Sequence, residues 1–303
     1  MTAATALQRV TASVRSPLRY KVRHAQRLTR HWLHFRTRVR PDHVRFPGVV
    51  DLHFDPDDQR ARWLRKHRGI TQSSVTGAWI ATTRLLAPDL ALDIGANYGE
   101  VSLIVRYRGS RRLMLFEPNP AVLTHLGRSV ATHADATNVM IMPLAVGDAP
   151  GRASLIVDDS YSGTSTLRHT PAEGAQPVEV EVTTIDDALA PEDLSSRRIL
   201  FKIDVEGFEG HALMGMQATL SQCEDFVGII EFDRAYLDEV APGNAARTAE
   251  HLLRLGACRY LDDEHGIWPF ATFDELPSHS DIVVSSDPDL LERLSIPGWV
   301  RSR

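Results

Sequence analysis

Between Leu90 and Glu100 the chain reads LALDIGANYGE, and no other stretch constrains its fold as tightly. An apolar run of strand length meets an acid, then a turn carrying Gly95 and Gly99, then a helix-like pattern. The first strand of a doubly wound sheet ends this way, because the chain must turn sharply there and let a ligand approach its backbone. A second apolar run, RLMLFEPNP from Arg112 to Pro120, ends in Glu117, 24 positions after Asp93. An acid at the end of a second strand can accept hydrogen bonds from both hydroxyls of a ribose.

The charge of the turn bears on the kind of ligand. A dinucleotide brings a pyrophosphate, which is best served by three glycines and a helix N-terminus without nearby negative charge. Here Asp93 precedes the first glycine, Ala96, Asn97 and Tyr98 fill the interval, and Glu100 follows Gly99 directly. Two carboxylates repel a pyrophosphate and suit a ligand with a sulfonium and an ammonium group, which fits S-adenosylmethionine. The expected cofactor contacts are Asp93, Gly95, Asn97 and Gly99 on the methionine and loop side and Glu117 on the ribose.

Two further apolar runs also end in acids. ILFKIDVEGFEG, Ile199 to Gly210, runs into Asp204 and Glu206, and FVGIIEFD, Phe226 to Asp233, ends in Glu231 and Asp233. Alternate residues of a strand share one face, so Lys202, Asp204 and Glu206 are expected to point the same way until the strand ends. Asp204, Glu206 and Glu231 are the expected catalytic group. Asp204 or Glu206 is suited to serve as general base, or the three to hold a divalent cation, with magnesium the match for hard oxygen ligands. The base reading is preferred, because three carboxylates alone do not specify a metal. His211 and His265 are the alternative bases.

These segments resemble the FkbM family of S-adenosylmethionine-dependent methyltransferases. The matching pieces are DIGANYG at Asp93 to Gly99, FEPNP at Phe116 to Pro120, PLAVGD at Pro143 to Asp148, TTIDD at Thr183 to Asp187, KIDVEGFE at Lys202 to Glu209, and IIEFD at Ile229 to Asp233, in the family's order. The resemblance spans roughly residues 75 to 285. It implies a Rossmann-like class I methyltransferase fold, α/β with a mostly parallel seven-stranded sheet, and methyl transfer, usually to oxygen on a sugar, glycolipid, polyketide or related natural product. It also implies Asp148, placed after the third strand, as the contact of the adenine amino group. Two other function classes stay open: a non-catalytic binding module on the same fold, and a nicotinamide-dependent oxidoreductase, disfavoured by the missing glycines.

Outside these segments the chain divides by charge. Residues 1 to 50 hold 11 Lys and Arg against one acid, a charge of +10, and the remainder carries 23 basic residues against 38 acids, or −15. A basic helical extension over residues 1–70 followed by a methyltransferase domain over 71–303 is therefore expected. Within the extension, Leu18, Val22, Ala25, Leu28, Trp32 and Phe35 fall near one helical face, flanked by arginines. Such a helix can pack on its own acidic domain, the preferred reading, or lie on an anionic membrane as a peripheral contact. No nucleic-acid recognition motif is visible.

Cys223 and Cys258 are too few for a disulfide framework, and a reducing, cytoplasmic setting is the natural expectation. Helices are expected over Ser74 to Ala87, from Gly99 through Tyr107, over Pro120 to His133 and over Asn244 to Leu255, with a third strand over Asn138 to Val146. From about 151 to 185 the alternation of Val178, Val180 and Val182 points to an inserted antiparallel β-arm. Its loop, with Ser160, Ser162, Thr164 and Ser165, is the candidate acceptor-contacting lid. The last strand, Asp281 to Ser286, is expected antiparallel in the sheet.

Overall fold

The computed structural model describes residues 41–109, 111–157, 161–165, 167, 176–262, 266–294 and 300–301. The Leu18 to Phe35 pattern, Ser160, His265 and the side chain of Thr164 lie outside the described residues. Asp42–Arg303 form one compact unit, so the boundary expected near residue 70 falls inside it.

The unit opens with an antiparallel hairpin, β1 (His43–Phe46) and β2 (Val50–His53). Two helices follow. α1 (Gln59–Lys66) is capped by Asp58, whose side chain accepts from the Arg60 amide. α2 (Ser73–Leu86) ends at Ala87 in the left-handed conformation, just before Pro88. The central strands are β3 (Leu90–Ile94) and β4 (Arg112–Phe116), then α3 (Pro120–Thr132), where Pro120 fits the first helical turn. Next come β5 (Val139–Met142), β6 (Ala145–Val146), β7 (Gly151–Val157), β8 (Gln176–Thr183) and α4 (Ile185–Leu189). The remaining core is β9 (Arg198–Ile203), α5 (Glu209–Met214), α6 (Gln217–Gln222), β10 (Asp225–Asp233), α7 (Arg234–Val240) and α8 (Asn244–Leu255). The chain closes with β11 (Ala257–Leu261), β12 (Gly266–Pro269), β13 (His279–Ser285), α9 (Pro288–Arg293) and β14 (Val300–Arg301).

Among the described residues the main sheet has nine strands, in the order β14-β12-β11-β13-β10-β9-β3-β4-β5. The run from β10 to β5 is parallel, and β13 enters antiparallel against β10, as expected for the last strand. Six of these strands, β3, β4, β5, β9, β10 and β13, fall on the apolar runs read from the sequence, whereas β11 is not singled out there. β12 and β14 extend that edge, β12 by folding back antiparallel on β11. β12 reads only GIWP, too short and too poor in alternation to announce itself.

Strand alternation sorts the sheet's side chains into two cores. Leu90, Leu92 and Ile94 of β3, Ile199, Phe201 and Ile203 of β9, and Phe226, Ile230 and Phe232 of β10 pack on one face. Ala91, Leu113, Leu115, Leu200, Val227 and Ile229 pack on the other, with Trp79 and the β1–β2 hairpin. Asp93, Glu117, Lys202 and Glu231 have the parity of this second set, so the face that stacks α2 also gathers the polar strand ends. Trp79 is fully buried and donates to the Tyr107 hydroxyl, which donates to the Ser102 carbonyl.

Two expected elements differ. Residues 100–105 form turns, with no α-helix through Tyr107. The Leu103 amide does reach the Gly99 carbonyl at 2.9 Å, but the Ser102 hydroxyl turns inward to Asp93 and the Tyr107 amide donates to the Asp135 carboxylate. Side chains there satisfy groups that a helix would pair within itself. The single strand expected over Asn138 to Val146 is broken at Pro143, which has no N–H for a ladder. Its second half, β6, instead joins β8 and β7 in a three-stranded sheet, the inserted arm, where Val180 is buried with Leu155 and Val157.

Candidate active site

A cavity of about 280 Å³ opens where the strand ends of β3, β4, β9 and β10 meet the arm. Gly95, Asn97, Glu117, Asp204, Glu206 and Glu231 all line it. Gly95 is required where it stands: its φ is +78°, and an added Cβ would collide with the backbone carbonyl of Asp204. This close approach joins the β3 turn to the end of β9. Asn97 also adopts a left-handed φ, +49°, which an Asn tolerates better than most residues.

Glu117 is 6% exposed and holds the turn: Oε2 accepts from the Asn97 amide and Oε1 from the Asn119 amide, each at 2.8 Å. A carboxylate has lone pairs to spare beyond these two bonds. Burial pushes its carboxyl up to about 7, against the pull of the two amides. The amides of Gly95 and Ala96 both donate to the Phe116 carbonyl, and that of Gly99 to the Ala96 carbonyl. With Asn97 committed to Glu117, four amides of the turn are spent within the protein, which leaves them unable to cradle a pyrophosphate.

Lys202 organises the floor. Its ammonium lies 3.1 Å from the Gly95 carbonyl, 3.2 Å from Asp204 Oδ2 and 3.4 Å from Asp93 Oδ1, and its side chain is 4% exposed. Burial works against its charge, but Asp204 and Asp93 outweigh it and raise its pKa. Asp93 is wholly buried and does not line the cavity; it holds Lys202 and accepts from the Ser102 hydroxyl at 2.6 Å. Gly99, with φ +81°, likewise closes the turn without facing the cavity. Neither residue lines the cavity, where direct contact is the expectation from the sequence.

The three expected catalytic carboxylates do converge: Asp204, Glu206 and Glu231 each bring an oxygen within 4.8 Å of the others. Burial acts to raise Asp204, but Lys202, Arg60 and hydrogen bonds from Gln72 and Glu231 hold it at about 2. Glu231 goes the other way, pushed well above the ordinary range by burial and by the charges of Asp204 and Glu206. The two carboxyls are thus pushed in opposite directions, Asp204 toward the charged form and Glu231 toward the neutral one. Glu206 sits beyond the end of β9 on a left-handed φ of +55°, so loop geometry and not strand alternation aims it. That loop is anchored by buried Glu209, which accepts from the Val205 amide at 3.1 Å and the Gly207 amide at 3.0 Å.

Asp148, expected at the adenine amino group, does not line this cavity. It is exposed and lines a separate cavity with His211, Asn244 and Arg247. The Gly147 amide donates to the Thr183 carbonyl, which carries the chain onto the arm, and Leu144, Ala145 and Val146 line the first cavity instead. His211, in that second cavity, is likewise apart from the carboxylates.

Several lining residues had no sequence signal. Arg60 and Gln72 come from α1 and the residue before α2; Gln72 donates to Asp204 Oδ2 at 3.1 Å across 132 positions of sequence. Tyr236 and His279 also line the wall, the latter 3.3 Å from Asp233 Oδ2. From the arm, Tyr161 reaches the cavity beside Ser162 and Ser165, two residues of the loop singled out in the sequence; the Ser162 hydroxyl donates to Asn97 Oδ1 and its amide lies 3.3 Å from Asp58 Oδ2.

Among solved structures, the chain is similar to the O-methyltransferase TomG from Streptomyces achromogenes, solved with SAM, at 10% identity and a TM-score of 0.42, covering 75% of this chain and 86% of that one. It is similar to precorrin-6y C5,15-methyltransferase from Geobacter metallireducens GS-15 at 14% identity and a TM-score of 0.34, covering 69% and 86%. Spermidine synthase from Thermotoga maritima shares 12% identity at a TM-score of 0.37, over 74% of this chain and 64% of that one. No curated protein matches. The family model described as the methyltransferase FkbM domain matches residues 93–261, more than half of the chain, and takes in every strand end of the site from Asp93 to Glu231. The chain belongs to the FkbM methyltransferase family.

Proposed function

We propose that the protein transfers a methyl group from S-adenosylmethionine to a hydroxyl oxygen of a small acceptor, such as a sugar, glycolipid, polyketide or related natural product. The observation that carries this reading is the single cavity in which Glu117 and the carboxylates of Asp204, Glu206 and Glu231 meet. Its turn amides are internally spent, which disfavours a pyrophosphate, and its acids favour a cationic donor. Glu117 receives the ribose hydroxyls, and the Gly95–Gly99 turn faces the methionine side.

Methyl transfer from a sulfonium is an in-line displacement: the acceptor oxygen bonds the methyl carbon as the carbon–sulfur bond breaks. Alignment alone accounts for roughly 7–11 kcal/mol in well-oriented systems. The acceptor's hydroxyl proton becomes strongly acidic as its oxygen gains the methyl group, so even a carboxylate held at about 2 can take it. Asp204 is held toward its charged form and Glu206 lies beside it in the cavity; one of them is the proton acceptor.

A divalent cation is the second reading, favoured by three oxygens within 4.8 Å of one another. Lys202 argues for the first, because it already neutralises Asp204 from within. The test is mass spectrometry of small molecules after purified protein is given labelled cofactor and a lysate. Label on a methyl ether that replaces an acceptor hydroxyl, lost with Asp204→Asn, is the expected result. Tight cofactor binding without transfer to any acceptor would instead support a non-catalytic binding module.

A further inference from the structure

One buried charge pair in the cavity is not accounted for by the chemistry above, in which Arg60 only helps to keep Asp204 ionised. Arg60, in the first turn of α1, and Glu100, directly after Gly99, both line the wall. The Arg60 Nε and Nη2 each stand 2.6 Å from Glu100 Oε1, and the two side chains are 11% and 2% exposed. A guanidinium and a carboxylate that served only each other would favour two parallel bonds, one to each oxygen. Here both donors converge on one oxygen. The other, Oε2, is buried and has no hydrogen-bond partner among the described residues. A buried acceptor left unmet is costly and uncommon in native folds, and in a cavity wall it marks a place for a donor that arrives with a ligand.

We infer that Glu100 and Arg60 receive the amino-acid end of the methyl donor, Glu100 Oε2 accepting from the α-ammonium and the Arg60 guanidinium pairing with the α-carboxylate. The inference rests on the proposed S-adenosylmethionine reading and extends it to a specific subsite. A zwitterion is the ligand chemistry that fits: it brings one charge of each sign to a pair that has one of each, so burial leaves no charge uncompensated. Arg60 precedes the family-matched residues 93–261, so a segment outside the matched portion takes part in recognising the donor. The arm lies against the same group: an added Cβ at Gly163 would collide with the Arg60 guanidinium.

Calorimetry with two ligands tests this. S-adenosylhomocysteine carries the amino-acid end; 5′-methylthioadenosine shares the adenosine and thioether and lacks it. Glu100→Gln is expected to weaken S-adenosylhomocysteine by about 10- to 100-fold while changing 5′-methylthioadenosine by less than about twofold, the range for a hydrogen bond to a charged group. Equal losses for both ligands, or no loss for S-adenosylhomocysteine, would make the pair purely structural and overturn the inference. Should the variant fail to fold, the wild-type protein decides with a deaminated S-adenosylhomocysteine: a similar loss supports the subsite, and unchanged affinity overturns it. Wild-type protein that binds neither adenosine ligand would overturn the donor reading and this inference together.

Discussion

The approach of Gly95 to the Asp204 carbonyl gives the sharpest test of how this site is assembled. An alanine at 95 must hold φ near +78°, which costs a residue with a Cβ about 1–2 kcal/mol. Its Cβ would also collide with the backbone carbonyl of Asp204, which cannot swing aside as a flexible side chain does. Forced repacking of this kind adds about 1–3 kcal/mol. Together Gly95→Ala is expected to destabilise the unit by about 2–5 kcal/mol, or roughly 4–20 °C in Tm for a domain of this size. Because the shift moves Asp204 itself, turnover should fall by about 100-fold even at temperatures where the variant is folded. Gly127→Ala supplies the control. Gly127 lies inside α3 with nothing within 4 Å of an added Cβ, so the change should stabilise by about 0.5–1 kcal/mol. Thermal melts of the two variants, followed by methyl-transfer rates, read both effects. Similar melting temperatures for both variants would refute the reasoning, since it depends on the carbonyl of Asp204 standing where the Cβ must go.

Glu117, raised to about 7 by burial, should make donor affinity depend on pH. Ribose hydroxyls donate to the ionised carboxylate, so S-adenosylhomocysteine should bind more tightly as pH rises from 6 to 8, by up to about tenfold per unit below the pKa, and Glu117→Gln should flatten the profile. Asp204→Asn should lower kcat by about 100-fold or more and leave S-adenosylhomocysteine affinity within about threefold; equal loss of both would assign Asp204 a structural role. Lys202→Met would strand two buried carboxylates, Asp93 and Asp204, and is expected to cost about 3–5 kcal/mol in a denaturant titration. A loss below about 1 kcal/mol would mean that the floor of the site does not depend on this ammonium.

The core strands were legible because buried parallel strands are near-continuous apolar runs, and β3, β4, β9 and β10 each end at an acid. Alternation also gave the shared face of Lys202 and Asp204. Glu206 reaches the same cavity by another route, a left-handed residue past the strand end, which nothing in KIDVEGFE marks apart from the following Gly207. Arg60 and Gln72 were invisible for another reason: they meet Glu100 and Asp204 across 40 and 132 positions of sequence, and tertiary contact leaves no local pattern. Asp148 stands apart from the cavity that holds the other expected site residues, at the turn where the break at Pro143 has carried β6 into the arm sheet. The expected helix after Gly99 gave way to side-chain bonds from Ser102 and Asp135, a competition that apolar spacing does not report.

Among the described residues no helix is long and apolar enough to cross a membrane. The charge contrast between residues 1–50 and the rest of the chain is a property of the sequence alone.

The central claim is that Glu117 and the acidic strand ends form a pocket for a cationic, adenosine-bearing methyl donor. Calorimetric titration of S-adenosylhomocysteine into the full chain and into Glu117→Ala tests it most directly, with NADH as the comparison ligand. One-to-one binding by the wild-type chain, weakened at least about tenfold by the substitution and absent for NADH, is the predicted result. Equal affinity of the two proteins for S-adenosylhomocysteine, or preferential binding of NADH, would contradict it.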